Sequence, residues 1–168
     1  MDQARLCKIV SRKLQGADKL VDIGCGDGYL VSCLAKKLGR RIVGLDTAPE
    51  GFVRAHNQCR RFGVCGLIEC VKGDAHAMKM FRSNEFDAAL LAYSLHHMTH
   101  PDAVLKEAKR ILRPKGKIVV VEYVVRKNRS KCHRFVKKEI DDMMKSSGFR
   151  NTFTRKLEED LVLAEAEK

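Results

Sequence analysis

The 168-residue chain has no run of 18 apolar residues, roughly the least that a membrane-spanning helix needs. Its first residues, Met1-Asp2-Gln3-Ala4-Arg5, are polar where a secretory leader needs an apolar core. These absences predict a soluble, cytoplasmic protein without a membrane partner. Internal repeats, linkers and low-complexity stretches are also missing, so residues 1–168 are expected to form a single domain, large enough for a sheet covered on both faces. The seven cysteines (Cys7, Cys25, Cys33, Cys59, Cys65, Cys70 and Cys132) form no C-x-x-C pair and lack the histidine spacing of a zinc site, so no metal is expected. Their odd number argues for reduced thiols, used mainly for packing. Only the grouping of Cys59, Cys65 and Cys70 leaves soft-metal or metalloid binding open. Acidic residues are scarce, 21 against 33 Lys and Arg, and the resulting net charge of +12 attracts anions. Arg126, Lys127, Arg129, Lys131, Arg134, Lys137 and Lys138 form a run without any acid, whereas Glu158 to Glu167 is acidic. Such a run is most often a solvated face.

What is present is concentrated in Val21-Asp22-Ile23-Gly24-Cys25-Gly26-Asp27-Gly28, an apolar strand with an acid near its end and three glycines at alternate positions. Glycine suits a backbone that turns with positive φ or meets a neighbour too closely for a Cβ. The following Leu30, Leu34 and Leu38 share one helical stripe. The unit is strand, glycine loop, helix. Turn chemistry alone is one reading of it, and a dinucleotide fold with G-x-G-x-x-G is another. Counting from Gly24 and Gly26, the dinucleotide pattern wants a small residue at position 29, which is Tyr29. A carboxylate ahead of the glycines suits a ligand with an ammonium group and no pyrophosphate.

The remaining pattern alternates strands with helices, which predicts a mostly parallel sheet. Arg41–Asp46 is a second strand ending in an acid, close to the offset at which a carboxylate meets ribose hydroxyls. Val71–Ala75 and Phe86–Ala92 read as the third and fourth strands, followed by Leu95-His96-His97-Met98 and a helix from Pro101 to Leu112. A turn, Arg113-Pro114-Lys115-Gly116, leads to a fifth strand, Lys117–Tyr123. A helix near His133–Ser147 and strand-like runs Phe149–Lys156 and Asp160–Ala166 close the chain. From residue 19 to 123 this order resembles the class I S-adenosylmethionine-dependent methyltransferases, the methyltransferase type 11 group in particular.

The resemblance implies an α/β, Rossmann-like, doubly wound sheet of seven mostly parallel strands, with one antiparallel edge strand and helices on both faces. Residues 1–16 would form an N-terminal helix, 19–123 the cofactor core, and 124–168 the last helix and a terminal strand pair. It implies S-adenosylmethionine as cofactor and S-adenosylhomocysteine as product. By the same resemblance Asp22 and the backbone of Gly24, Cys25 and Gly26 would hold the methionine portion, with Gly28 also part of the cofactor-binding loop. Asp46, with Thr47 and Ala48, would meet the ribose, and Asp74 and Ala75 the adenine. Ala92 and Tyr93 would border the methionine amine and the methyl group.

No general base is identified by pattern. His96, His97 and Tyr123 are the candidates, each with packing or loop ordering as the plainer role. The chain lacks the Asn/Asp-Pro-Pro-Tyr/Phe element of many amine methyltransferases and the Pro-Cys pair of cytosine-carbon enzymes. The expected acceptor is therefore a small molecule, in one version anionic and met by the basic segment 126–138. An RNA or protein acceptor gripped by that segment is the alternative, and a non-catalytic scaffold a third. Few aromatics are interleaved with the basic run for base stacking, which disfavours nucleic acid. The sequence says nothing of oligomeric state.

Overall fold

The computed structural model describes residues 1–125 and 135–168, apart from the side chains of residues 49–51. In chain order the elements are α1 (Gln3–Lys13), β1 (Leu20–Ile23), α2 (Tyr29–Leu38), β2 (Ile42–Asp46), α3 (Pro49–Phe62), β3 (Ile68–Lys72), β4 (Phe86–Ala92), α4 (Pro101–Ile111), β5 (Leu112–Tyr123), α5 (Lys137–Ser146), β6 (Arg150–Glu158) and β7 (Leu161–Glu167). The strands form one seven-stranded sheet in the order β3-β2-β1-β4-β5-β7-β6. β1 to β5 run parallel, and β7 is antiparallel to both β5 and β6. The expected doubly wound sheet is thus present, its antiparallel pair at the edge. The reversed strand itself lies one place in from that edge, because a short turn after β6 lays β7 directly against β5.

Side-chain alternation along the central strands builds two cores. Ala89 and Leu91 of β4 with Ile118 and Val120 of β5 pack beneath α4 and α5, against Val104, Leu105, Ile111, Ile140 and Met144. Ala88, Leu90, Val119 and Val121 face the other way, toward Leu6 and Val10 of α1 and Leu34 of α2. Strands buried on both faces read as unbroken apolar runs, which is why β4 and β5 stand out in the sequence. The chain leaves β1 first to one side and then, through β4, to the other. This reversal opens a crevice at the carboxyl ends of β1, β2 and β4, where open α/β sheets bind ligands.

Several boundaries move. β3 ends at Lys72, so Gly73, Asp74 and Ala75 lie in the loop beyond it and not in the strand. β5 begins at Leu112, opposite Phe86, but pairing resumes only with Lys117 opposite Ala88. The intervening turn is a bulge within the strand, and a Cβ at Gly116 would lie 2.8 Å from the Arg113 carbonyl oxygen. Of the basic run, Lys137 and Lys138 open α5, with Lys138 paired to Asp142 at 2.7 Å. Arg126, Lys127, Arg129, Lys131 and Arg134 lie outside the described residues.

The cysteines correct the expectation of reduced thiols. Cys7 of α1 is bonded to Cys33 of α2, and Cys59 to Cys65. Both pairings depend on how helices and turns meet in space, which spacing along the chain does not reveal. Cys25 and Cys70 are free. Among the described residues, no helix is long and apolar enough to cross a membrane.

Candidate functional site

The crevice contains a cavity of about 520 Å³. Its walls include Asp22, Gly24, Cys25, Gly26, Asp46, Thr47, Asp74, Ala75, Ala92 and Tyr93, closed on one side by Gln3 and Leu6 of α1. Of the predicted cofactor residues, Gly28 and Ala48 stand behind the wall, and each has a structural task there. A Cβ on Gly28 would sit 2.4 Å from the Cβ of Ala55, so the glycine lets α3 press against the loop. Gly24 has φ +78, and a Cβ there would lie 2.5 Å from that of Ser94. Ser94, buried after β4, donates its hydroxyl to the Ile23 carbonyl at 2.9 Å and ties the ends of β1 and β4 together.

Asp46 has a second role that the strand pattern did not announce. Its Oδ2 accepts from the Gly26 amide at 2.8 Å and its Oδ1 from the Ala48 amide at 3.0 Å. The carboxylate therefore clasps the glycine loop to the end of β2. A carboxylate offers about four lone-pair sites, and among the described residues these two amides are the hydrogen-bond donors seen on Asp46.

Asp22 is 2% exposed, and its Oδ1 is buried with no hydrogen-bond partner among the described residues. Burial, and secondly the nearby charge of Asp46, push its carboxyl up to about 7. An unsatisfied buried carboxylate is costly unless a cation or donor meets it. Burial, then Asp22 and Asp46, also push the Cys25 thiol up, which disfavours the thiolate form that a nucleophile needs. The Cys25 sulfur fills the space where Gly44 of β2 lacks a side chain.

Asp74 is held from the loop after β3. Its Oδ1 accepts from the His76 amide at 2.8 Å and pairs with His76 Nδ1 at 2.6 Å, and the hydrogen bonds to His76 hold its carboxyl below the ordinary range. The His100 amide donates to His76 Nε2 at 3.2 Å, so this network assigns the proton of neutral His76 to Nδ1. His76, a wall residue, carried no signal in the sequence.

The three catalytic candidates separate. His97 lines the cavity beside Met98. His96 does not, because its Nδ1 is 2.7 Å from Oε1 of Glu122, which also accepts from the Tyr123 amide at 2.7 Å. Glu122 is fully buried at the end of β5, and its Oε2 accepts from the His96 amide at 3.2 Å. The ring of His96 backs that of His97 at 3.9 Å between centroids. Tyr123 also stands outside the wall, stacked on Tyr93 at 5.0 Å, while Tyr93 is held at φ +56. Burial, and secondly Tyr123, push the Tyr93 phenol up to about 12. Glu122 is a second residue that pattern reading misses: one acid in an apolar strand looks like a strand end until its histidine partner is seen.

Known proteins share this fold. Over 98% of its length the chain superposes on 80% of the cyclase SpnF, with a TM-score of 0.89 and 19% identity. It superposes over 99% of its length on 93% of an S-adenosylmethionine-dependent methyltransferase from Aquifex aeolicus, TM-score 0.83, 18% identity. At these identities the likeness establishes the fold. In sequence it is 31% identical over 126 residues to the 2-phytyl-1,4-naphtoquinone methyltransferase of Synechocystis, an alignment covering 72% of this chain and 52% of that one. The chain spans between about a third and a half of the length of the curated relatives it matches. Residues 21–120 match the family model described as a methyltransferase domain, and that span holds the described wall residues other than those of α1. The chain belongs to the methyltransferase domain family.

Proposed function

We propose that this chain binds S-adenosylmethionine in the cavity and transfers its methyl group to a small-molecule acceptor. The observation that carries the reading is the buried carboxylate of Asp22, unpartnered at Oδ1 and facing a cavity also lined by Asp46 and Asp74. Neither Lys nor Arg is among the described wall residues. Such a site repels a pyrophosphate and attracts a cation. S-adenosylmethionine, when bound, supplies a methyl group already activated on a positively charged sulfur.

The residues divide the work of holding it. Asp22 meets the ammonium group, Asp46 meets the ribose hydroxyls, and Asp74 with the backbone at Ala75 meets the adenine. Transfer from an activated donor depends mainly on aligning two reactants and excluding water. Leu6 of α1 with Leu30 and Met98 supplies apolar wall, while Tyr93 and His97 border the acceptor side. An acceptor with a flat apolar ring fits Tyr93, which Tyr123 stiffens from behind. The naming of a relative as a naphthoquinone methyltransferase supports a quinol-like ring as the first acceptor to try.

The test is incubation with methyl-labelled S-adenosylmethionine and, in separate pools, quinols, other metabolites, RNA and peptides, read by mass spectrometry. Label in a small-molecule product is expected. Label in RNA or peptide alone overturns the acceptor class, and a cavity that binds NADH and not S-adenosylmethionine overturns the reading.

A further inference from the structure

The C-terminal end of α3 carries a donor cluster outside the cofactor cavity. His56 Nδ1 or Nε2 and the sulfurs of Cys59 and Cys65 all lie within 4.8 Å of one another. His56 and Cys59 are three residues apart on α3 and share a face. After Phe62 the chain turns back, with the Val64 amide donating to the Cys59 carbonyl at 2.9 Å, and a short 3-10 turn from Cys65 to Leu67 brings Cys65 to a Cα separation of 4.7 Å from Cys59. Cys70, grouped with Cys59 and Cys65 by sequence, sits on β3 and is not part of this cluster. His56 takes its place.

We propose that, once the Cys59–Cys65 disulfide is reduced, His56, Cys59 and Cys65 bind one zinc ion, so that the disulfide and the metal site are alternative states of one clip. Two thiolates and an imidazole form a soft, Cys₂His donor set suited to zinc over magnesium or calcium. With zinc bond lengths of about 2.3 Å to sulfur and 2.0–2.1 Å to nitrogen, donors on a tetrahedron stand roughly 3.5–3.8 Å apart. The cluster is close enough for side-chain rotation to reach that spacing. His56 and Cys65 are exposed while Cys59 is buried, so the ion enters from solvent and water takes the fourth position.

The chemistry balances with a dithiol as reductant. The dithiol gives two electrons and two protons to the protein disulfide and leaves as its own cyclic disulfide. Zinc then displaces both thiol protons to solvent, and the two thiolates neutralise the dication. The clip sits on a helix that backs the cofactor loop, since Ala55, next to His56, is the residue pressed against Gly28.

The experiment uses the full chain, reduced with a dithiol, desalted without oxygen, and titrated with zinc against a colorimetric indicator and with cobalt(II) followed by its thiolate charge-transfer absorption. One equivalent is expected, and none for the oxidised protein. Cys59→Ser and Cys65→Ser should abolish the cobalt absorption, and Cys70→Ser should leave it unchanged. His56 is exposed, so His56→Ala keeps the fold. It should weaken zinc by more than the roughly 10- to 100-fold that loss of a mere supporting residue costs. Absence of thiolate-to-cobalt absorption, its survival in Cys59→Ser, its loss in Cys70→Ser, or wild-type affinity in His56→Ala would each overturn the proposal.

Discussion

Asp22→Asn should make the ligand-free protein more stable at pH 8 while making it a poorer cofactor binder. The Asp22 carboxyl stands at about 7 in the fold against 3.8 unperturbed. At about 1.36 kcal/mol per pKa unit, its ionisation costs the folded state up to roughly 4 kcal/mol at pH 8. Because the folded value lies above the unfolded one, Asp22's contribution to stability is complete below about pH 4 and is lost as pH rises to about 7. Asparagine keeps the size and cannot ionise, but its buried amide forfeits about 1–3 kcal/mol where it finds no partner. A net gain of about 1–3 kcal/mol is expected at pH 8, disappearing near pH 5, where wild-type Asp22 is already protonated. Urea unfolding of both proteins at the two pH values measures this difference. For binding, loss of a charge-assisted hydrogen bond of about 1.5–3 kcal/mol predicts 10- to 150-fold weaker S-adenosylmethionine. Wild-type affinity should fall as pH drops below about 7, while the variant's stays level. A variant less stable than wild type at pH 8, with equal affinity for the ligand, would refute the assignment of an unpaired buried charge.

Asp46→Ala should lower cofactor affinity by one to two decades and also loosen the glycine loop, since two amide bonds disappear with the ribose contact. Faster amide exchange at Gly26 and Ala48, together with weaker binding in calorimetry, would be the sign of both roles. Gly28→Ala should cost roughly 2–5 kcal/mol in urea unfolding, from the collision with Ala55 added to the left-handed backbone, whereas Gly26→Ala, with nothing within 4 Å, should cost only the backbone part. Glu122→Gln should destabilise by roughly 1.5–3 kcal/mol by removing the charge that His96 and two amides share. Affinity for mixed RNA at about 0.15 M salt should be weak and unchanged by neutralising Arg129, Lys131 and Arg134; tight binding abolished by those changes, with a log–log salt slope near −0.7 per phosphate, would favour a nucleic-acid acceptor.

The parts of the site legible in sequence were those encoded by local spacing. The glycines of residues 24–28 and the acid at the end of β2 lie within one βαβ unit, where strand and helix periods fix which residues meet at the crevice. Long-range pairings left no such trace. Glu122 and His96 are brought together only by the parallel register of β4 and β5, and Cys7 and Cys33 only by the crossing of α1 over α2. Asp46 illustrates both sides: its position could be counted from the loop, but its grip on the Gly26 amide follows from how tightly the glycine turn folds back onto β2. The bulge in β5 looks like a free turn in the sequence, because a strand that pauses and resumes in the same ladder resembles two elements along the chain.

The most direct test of the central claim is calorimetric titration of the purified chain with S-adenosylmethionine at pH 8, with S-adenosylhomocysteine and NADH in parallel. Binding of one equivalent of each methionine-derived ligand, weakened by Asp22→Asn and by Asp46→Ala, and no heat from NADH, is the predicted result. Binding of NADH alone, or S-adenosylmethionine affinity indifferent to both substitutions, would contradict the account.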